Sequence, residues 1–366
     1  MLVVFRADAS LDIGTGHVMR CLTLANQLKA MGDECLFICR ALEGNLIEYL
    51  ESEAMEVISL PESNQLENNV MPLNQPAHGS WLGVGWQQDA EETLQAIVGR
   101  DVDCLVVDHY ALDVSWEQML REKVRGIFVI DDLADRKHDC FALLDQNYGR
   151  KAGDYEGLLE NECLRLIGPE FALLRPEFSV LRQFSLKRRA HYKLETILVN
   201  LGGVDQGNLT ARIIDALSQL VFKNPVEFVV VLGSTNPNVL SVRQSAKMSC
   251  HNVSVKVGVN NMAELMASSD LAIGAAGSTT WERFSLGVPS ILMSIAENQA
   301  PALNALAESR CIYKLSSETI VQDLNRFFEQ SSIGEDLFSL SKKGRELCDA
   351  LGAKKIEKII RVECEG

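Results

Sequence analysis

The sequence predicts an α/β protein made of two doubly wound domains, each a parallel sheet with helices on both of its faces. Short runs of apolar, β-branched residues alternate with segments of helical periodicity, which is typical of strands buried on both sides of a parallel sheet. The alternation stops and then restarts in the second half of the chain. A length of 366 residues is also enough for about two domains of ordinary size.

The elements of the first half follow from these patterns. The predicted strands are Leu2–Arg6, Glu34–Cys39, Glu56–Leu60, Cys104–Asp108 and Gly126–Asp131. A helix is predicted at His17–Met31, where apolar residues follow the spacing of one helical face: Val18, Cys21, Leu22, Ala25 and Leu28. A second helix is predicted at Val114–Glu122. Between them, Pro61–Gln88 is irregular, but its two tryptophans favour partial order over a cleft.

The second half repeats the pattern and sets the domain boundaries. Its predicted strands are Thr196–Leu201, Val226–Leu232, Val253–Val257, Leu271–Gly274 and Ser290–Ser294, with helices near Leu209–Leu220, Met262–Ser269 and Thr279–Leu286. The break between the halves is Arg175–Lys193, where Pro176 and a basic run interrupt the apolar periodicity. We therefore predict a first domain at 1–180 and a second at 190–345. Residues 346–366 are predicted to form a C-terminal helix that could pack back on the first domain.

Composition restricts the partners. Fifty acidic and 35 basic residues give a net charge of −15, which repels nucleic acid and anionic membranes. The few apolar residues before Arg6 are too short for a signal peptide, and no apolar run approaches the roughly 18 residues of a membrane helix. Ten cysteines without a CxxC pair indicate thiols in a reducing compartment. We expect a cytoplasmic protein with a small-molecule partner, no nucleic acid and no membrane; its oligomeric state is open and a monomer is plausible.

A glycine-rich turn follows the first predicted strand. Gly14, Thr15 and Gly16 precede His17, which would open a helix at the carboxyl edge of the sheet, where proteins of this class bind ligands. A dinucleotide fingerprint would require glycine at position 19, where Met19 stands, so a nicotinamide cofactor is disfavoured. His17 is either a general base or an ordinary residue of the first helical turn.

Two further strands end in acidic side chains at the same edge. Asp108, His109 and Tyr110 follow one strand, and Asp131 and Asp132 follow the next. Each carboxylate could cap the following segment, and Asp108 could instead orient a base. His109 could equally be a buried, hydrogen-bonded histidine. The adjacent Asp131 and Asp132 are inconclusive as a metal site, because consecutive side chains near a strand end point apart.

The second domain carries motifs suited to a phosphate and a ribose. Gly203 lies in LGGVD after one strand, and Gly277, Ser278 and Thr279 lie in GSTTWE after another. Glycine lets the backbone approach a phosphate, and the two hydroxyl residues can cap the helix or donate hydrogen bonds. Glu282 lies one turn further along, where its carboxylate could accept hydrogen bonds from ribose hydroxyls or simply face solvent.

Together these motifs resemble a known family. The paired domains resemble the GT-B fold, two Rossmann-like domains facing a central cleft, and the second is similar to that of the lipid II-forming N-acetylglucosaminyltransferase. A narrower match runs from Arg6 to Gln299. Its blocks RADAS, IGTGHVMRCLTLA, VVDHYALD, IDDLADRKHDC, FALLRPEF, NLGGVDQGNLT and AAGSTTWERFSLGVPSI resemble the UDP-2,4-diacetamido-2,4,6-trideoxy-β-L-altropyranose hydrolase family of pseudaminic acid biosynthesis. That family removes UDP from this sugar nucleotide, which feeds flagellin glycosylation or a surface polysaccharide.

The resemblance implies roles for individual residues. It puts the catalytic base on His17, the diphosphate on Gly277, Ser278 and Thr279, and the ribose on Glu282. Asn298 and Gln299 match a pair near the sugar or diphosphate, and the backbone of Val257–Asn261 is a candidate for uracil. The other residues expected to bind substrate are Gly14, Thr15, Gly16, Asp108, Tyr110 and Gly203. Residues 62–77 match nothing in the family pattern.

The implied reaction is hydrolysis with inversion. A water held by His17 would attack the anomeric carbon while UDP leaves, with no covalent nucleophile, metal or cofactor. Two alternatives stay open: an inverting UDP-sugar glycosyltransferase that uses the same nucleotide site, and a catalytically silent UDP-sugar sensor.

Overall fold

The structure is a computed structural model that describes residues 1–62, 76–190, 193–296, 299–329 and 333–364. The chain divides into two compact units. The first consists of Met1–Leu174 together with the segment from Leu351 onward, and the second is Arg175–Ala350.

Helices and strands alternate through both units. The first unit contains β1 Leu2–Ala7, α1 Gly16–Ala30, β2 Glu34–Arg40, α2 Ile47–Ser52, β3 Glu56–Leu60, α3 Trp86–Ala96, β4 Val102–Asp108, α4 Val114–Leu120, β5 Val124–Ile130, β6 Ala142–Asp145 and β7 Leu164–Ile167. The second contains α5 Pro176–Arg188, β8 Thr196–Asn200, α6 Leu209–Leu217, β9 Glu227–Leu232, α7 Val239–Met248, β10 Asn252–Val257, α8 Met262–Ser268, β11 Leu271–Ala275, α9 Thr279–Ser285, β12 Ser290–Met293, α10 Ala300–Glu308, β13 Tyr313–Lys314, α11 Ile320–Phe328 and α12 Ile333–Leu347. A last helix, α13 Gly352–Cys364, belongs to the first unit.

Each unit has one parallel sheet in its described residues. The strand order is β3-β2-β1-β4-β5-β6-β7 in the first unit and β10-β9-β8-β11-β12-β13 in the second. Both orders reverse beside the first strand of the unit, between β1 and β4 and between β8 and β11. At such a switch point the connections leave toward opposite faces, so a crevice opens at the carboxyl ends of the two strands. The predicted α/β class is confirmed.

Apolar burial explains why the first helix forms where it does. The side chains of the predicted helical face, Val18, Cys21, Leu22, Ala25 and Leu28, are all buried against one face of the first sheet. Ala353, Ile356 and Ile360 of α13 join the same core and pack beside α1. The other face of the sheet is covered by α3 and α4, with Trp116 fully buried.

The boundary between the units differs from the prediction. Within the segment 175–193, expected to be a break, Pro176–Arg188 form α5. The second unit begins at Arg175, so the boundary lies after Leu174 rather than between 180 and 190. Pro176 takes the first helical position, where a proline loses no hydrogen bond, and the basic Lys187 and Arg188 lie in the last turn, where the helix dipole favours cations. The second unit also extends to Ala350, beyond the predicted end at 345.

The predicted irregular segment contains regular structure. Residues 79–82 form a 3-10 helix and α3 begins at Trp86. Residues 63–75 lie outside the described residues. The short strands β6 and β7 were not predicted, because four residues are too few to show a period. No helix in the described ranges is both long enough and apolar enough to span a membrane.

Candidate functional site

The turn before α1 brings His17 to the switch point of the first sheet. Gly14 has φ of +76°, in the left-handed region, and its N–H donates to the Ser10 carbonyl at 2.8 Å. Glycine adopts this backbone conformation without strain. Gly16 begins α1 and Thr15 precedes it, without a side-chain cap hydrogen bond. His17 therefore lies in the first turn of α1, where the chain has just left β1.

His17 and Asp108 form a buried pair across this switch point. Asp108 ends β4, and its Oδ1 lies 2.6 Å from His17 Nδ1. An ionised carboxylate can only accept, so this contact assigns the ring hydrogen to Nδ1 and leaves the lone pair on Nε2. Within the described residues, nothing hydrogen-bonds Nε2. The pair has the arrangement of a general base and the group that orients it.

The charge of Asp108 is maintained by its neighbours. Burial alone would raise the pKa of Asp108, but the Arg20 guanidinium and the His17 ring hold it well below the usual range of a carboxyl. Arg20 Nε donates to Asp108 Oδ2 at 2.6 Å, and Nη2 donates to Oδ1 at 2.7 Å. Such a bidentate pair is among the stronger charge-assisted contacts in proteins. Asp108 is thus a buried anion that touches the imidazole.

Arg20 also links this pair to a second carboxylate. Its Nη1 donates to Asp132 Oδ2 at 2.6 Å, and the same oxygen accepts a hydrogen bond from the Tyr110 hydroxyl at 2.8 Å. Burial would lower the pKa of Arg20, but the two carboxylates raise it well above its ordinary value. The guanidinium is therefore a fixed cation shared by Asp108 and Asp132.

Aromatic rings lie beside His17. The Tyr110 ring meets the His17 ring edge to face with centroids 4.5 Å apart, and the Trp81 ring lies 5.8 Å from Tyr110 at an angle of 24°. His78 contacts both, at 4.3 Å from Trp81 and 5.5 Å from Tyr110. Apolar faces next to a few fixed polar groups are typical of small-molecule sites.

The two remaining candidates near this edge have structural roles. His109 Nδ1 accepts a hydrogen bond from the Ala111 N–H at 3.1 Å, and its Nε2 lies 3.3 Å from Asp8. Burial lowers the pKa of His109, which favours the neutral ring. Asp131 pairs with Arg136 at 2.8 Å, whereas Arg20 pairs with Asp132. His109 is the buried, hydrogen-bonded histidine that the sequence left as one alternative.

A cluster of buried ion pairs lies at this edge of the first sheet. Arg6 contacts Asp8 and Asp89 at 2.6 Å each, and Arg40 contacts Asp89 at 2.6 Å. All four side chains are fully buried. Asp89 also accepts from Trp116 Nε1 at 3.0 Å. Because Asp89 lies on α3, the cluster joins β1 and β2 to the helices that cover the sheet.

In the second unit, Gly203 lies in the segment that follows β8. Its carbonyl accepts a hydrogen bond from the Gly233 N–H at 3.2 Å, and a Cβ on Gly233 would lie 2.3 Å from that oxygen. Only glycine allows this approach. Asp205, two residues later, caps α6 by accepting from the N–H groups of Leu209 and Thr210 at 2.9 Å each.

The Gly277–Thr279 turn lies at the other strand of this switch point. Ser278 has a helical backbone and makes no side-chain cap hydrogen bond, so it does not take the capping role that the sequence left as one alternative. The first turn is instead closed by backbone bonds from Thr280 N–H to Gly277 and from Trp281 N–H to Ser278. A Cβ on Gly277 would lie 3.6 Å from Gln299 Nε2, so the structure brings these two residues together. Asn298 lies outside the described residues.

Glu282 and Arg283 put opposite charges just behind this turn. The Glu282 side chain is 16% exposed and lies 3.7 Å from Arg175; burial raises its pKa and Arg175 opposes the rise. Arg283 is fully buried and donates to the Ala275 carbonyl at 2.6 Å. Burial lowers the pKa of Arg283 to about 10, so the side chain stays cationic at neutral pH.

Sequence reasoning missed Arg20 and His78. Arg20 is three residues after His17 and therefore on the same helical face, a signal that could have identified it. His78 carries no local signal, because its ring contacts come from residues distant in the chain. Asp132 was noticed only as half of an inconclusive pair.

Comparisons with known proteins agree with this architecture. Residues 196–326 match the model of the glycosyltransferase family 28 C-terminal domain. The chain is 26% identical over 308 residues to the UDP-2,4-diacetamido-2,4,6-trideoxy-beta-L-altropyranose hydrolase of Campylobacter jejuni, covering 84% of this chain and 97% of that protein. It is 24% identical over 362 residues to the spore coat polysaccharide biosynthesis protein SpsG of Bacillus subtilis, covering 97% and 96%.

Solved structures show the fold. The chain superposes on MurG of Acinetobacter baumannii with a TM-score of 0.70 at 14% identity, covering 99% of each chain. It has the GT-B fold of two doubly wound α/β domains. The resemblance to the hydrolase family that the motifs predict is confirmed by the similarity to the Campylobacter hydrolase.

Proposed function

We propose that this protein is an enzyme that hydrolyses UDP-2,4-diacetamido-2,4,6-trideoxy-β-L-altropyranose to UDP and the free sugar, with inversion at the anomeric carbon. The observation that carries the proposal is the His17–Asp108 pair, a buried base with its Nε2 lone pair available at the switch point of the first sheet. The 26% sequence identity to the Campylobacter hydrolase, which extends over most of both chains, supports the proposed choice of substrate.

The geometry of the pair suits activation of water. Nε2 takes a proton from water, the water oxygen bonds to the anomeric carbon, and the bond from that carbon to the phosphate oxygen breaks with its electron pair leaving on UDP. Asp108 keeps the ring in the required tautomer and stabilises the imidazolium that forms. Because Asp108 is fully buried and held by Arg20, it is unsuited to act as a covalent nucleophile.

The second unit is proposed to bind UDP. Gly203, Gly277, Ser278, Thr279 and Gln299 would contact the diphosphate, and Glu282 the ribose, as the resemblance implies. The Ser278 hydroxyl supports this assignment, because it makes no hydrogen bond that caps α9. The Arg283 cation adds positive potential near the turn. In the first unit, Tyr110 and the aromatic rings beside it are proposed to contact the sugar.

Product analysis tests the reaction. The purified protein is incubated with UDP-2,4-diacetamido-2,4,6-trideoxy-β-L-altropyranose alone, and NMR follows the sugar released and its first-formed anomer. We expect stoichiometric free sugar with inverted configuration. Retained configuration would contradict the direct attack of water, and intact substrate after long incubation would contradict hydrolysis.

An inverting glycosyltransferase is the second candidate. The match of residues 196–326 to a glycosyltransferase domain and the MurG-like fold favour it. A transferase would hydrolyse the UDP-sugar only slowly by itself. With an acceptor it would release UDP rapidly while the sugar bonds to the acceptor. Turnover in the absence of any acceptor at the rate seen with candidate acceptors would exclude this reading, and binding without any turnover would indicate a sensor.

Replacing Glu282 by alanine tests the nucleotide site. We expect UDP to bind about tenfold or more weakly, because hydrogen bonds from ribose to a charged group contribute roughly 1.5–3 kcal/mol. Calorimetry with UDP and with 2′-deoxy-UDP measures the effect, and the variant should no longer distinguish the two. Glu227→Ala, the same change at the exposed start of β9, is the matched control. Unchanged UDP affinity in Glu282→Ala would refute the ribose assignment.

A further inference from the structure

Asp132 is a carboxylate near the candidate base to which neither the motifs nor the resemblance assign a catalytic or binding role. Its Oδ2 accepts two hydrogen bonds, from Arg20 Nη1 at 2.6 Å and from the Tyr110 hydroxyl at 2.8 Å. Both donors also contact His17. Arg20 Nη2 lies 3.3 Å from His17 Nδ1 and donates to Asp108, the carboxylate that contacts the same ring. The Tyr110 ring packs edge to face on the His17 ring. One oxygen of Asp132 thus holds two of the groups that contact the imidazole, Arg20 and Tyr110.

The position of Asp132 is itself fixed by the next strand. Its carbonyl accepts from Arg150 Nη2 at 2.9 Å and from Asn147 Nδ2 at 3.3 Å, and both of these residues follow β6. The side chain is 16% exposed. Asp132 is therefore a largely buried acceptor whose backbone is hydrogen-bonded to the segment after β6.

The charges around His17 make this acceptor important. When His17 takes a proton from water it becomes a cation, and the Arg20 guanidinium lies 3.3 Å from its ring. With Asp108 alone, Arg20 would form a neutral pair and leave nothing to offset the imidazolium. Asp132 adds a second carboxylate, so the three fixed groups have one net negative charge. The other cations along this edge are already paired, Arg136 with Asp131 and Arg150 with Asp145.

We propose that Asp132 is a positioning residue for His17. Asp132 pairs with Nη1 of Arg20 and offsets its charge, so that the negative charge of Asp108 remains available to the imidazolium. This inference rests on the proposed function. The proton moves from water to Nε2, the water oxygen bonds to the anomeric carbon, and UDP leaves with the electron pair of the broken bond. Asp132 touches none of the reacting atoms and acts through Arg20 and Tyr110.

Asp132→Asn tests the charge without removing the side chain. The amide oxygen still accepts a hydrogen bond, so the main change is the lost negative charge. We expect kcat to fall by about 10- to 100-fold, because stabilisation of the charge that develops is lost. KM and the affinity for UDP should stay within about twofold of the parent, since the residues proposed to bind the nucleotide belong to the second unit. Asp132→Glu, which keeps the charge, should recover part of kcat.

A matched control separates this role from a purely structural one. Asp135→Asn makes the same charge change three residues away, at an exposed side chain that pairs with Arg136. It should leave kcat unchanged. Thermal unfolding of each variant shows whether the fold is intact, and active-site titration gives kcat per folded molecule. A structural role alone would lower the unfolding temperature and the folded fraction without lowering kcat per folded site.

A double-mutant cycle with Tyr110→Phe completes the test. Because the Tyr110 hydroxyl donates to the same oxygen, its removal in the Asp132→Asn background should cost less than its removal in the parent. A parent kcat retained by Asp132→Asn, an equal loss in Asp135→Asn, or strictly additive effects would each overturn the inference. A parent that releases no sugar would instead refute the proposed function, and this inference with it.

Discussion

Replacing His17 by asparagine should lower kcat for hydrolysis of the UDP-sugar by about 10²–10⁴-fold, the usual contribution of a general base. Asparagine is polar and similar in size, but it cannot take a proton from water at neutral pH. The affinity for UDP, measured by calorimetry, should be unchanged, because the proposed nucleotide residues belong to the second unit. The variant should therefore bind nucleotide and turn over almost no substrate.

His251→Asn is the matched control for this experiment. His251 is in the second unit, where its Nε2 contacts the Leu220 carbonyl at 3.0 Å, so its replacement should leave turnover intact. If His17→Asn retained turnover within about tenfold of the parent, less than a general base contributes, His17 would have no role as the base. The Nε2 geometry would then need another explanation.

Asp108→Asn should be nearly as damaging, with kcat lower by about 10²–10⁴-fold. An asparagine amide can donate to Nδ1, which moves the ring hydrogen to Nε2 and removes the lone pair that would accept the proton of water. The change also leaves Arg20 with Asp132 as its one remaining carboxylate partner among the described residues. Steady-state kinetics measures the loss, and long-range proton–nitrogen NMR of the His17 ring reads the tautomer directly.

The depressed pKa of Asp108 adds a prediction for stability. Its folded-state pKa is below its unfolded value, so it stabilises the native state above about pH 4 and this contribution disappears as the pH falls. Asp108→Asn should therefore lower the free energy of unfolding at pH 7, and the difference from the parent should shrink under acid. For the kinetic prediction, an Asp108→Asn variant with the same kcat as the parent would contradict the role of Asp108 in orienting the base.

Local pattern was enough to predict the part of the site that lies close in sequence. The glycine turn, His17 and the helix of α1 follow β1 directly, so apolar periodicity and the two glycines located them. Asp108 was located because a buried strand ends there. The switch point then follows from the strand order, which places β1 beside β4.

The rest depended on contacts between distant residues. Arg20 meets Asp132 across 112 residues, and no local period signals such a pair. Trp81 and His78 lie in a segment whose composition indicated a loop, yet ring packing on Tyr110 orders them. The basic run at the end of α5 was interpreted as a linker, although cations in a last helical turn are equally consistent with a helix.

The last helix determines when the core of the first unit can form during synthesis. Ile356 and Ile360 of α13 are fully buried in the core that holds β1 and α1. The first unit can therefore complete this core only after the ribosome has synthesised the whole of the second unit, whose residues 175–350 come earlier in the chain. Domains usually fold in the order of synthesis. Here the chain begins with the first unit, but the core of that unit cannot be completed before α13 has been synthesised.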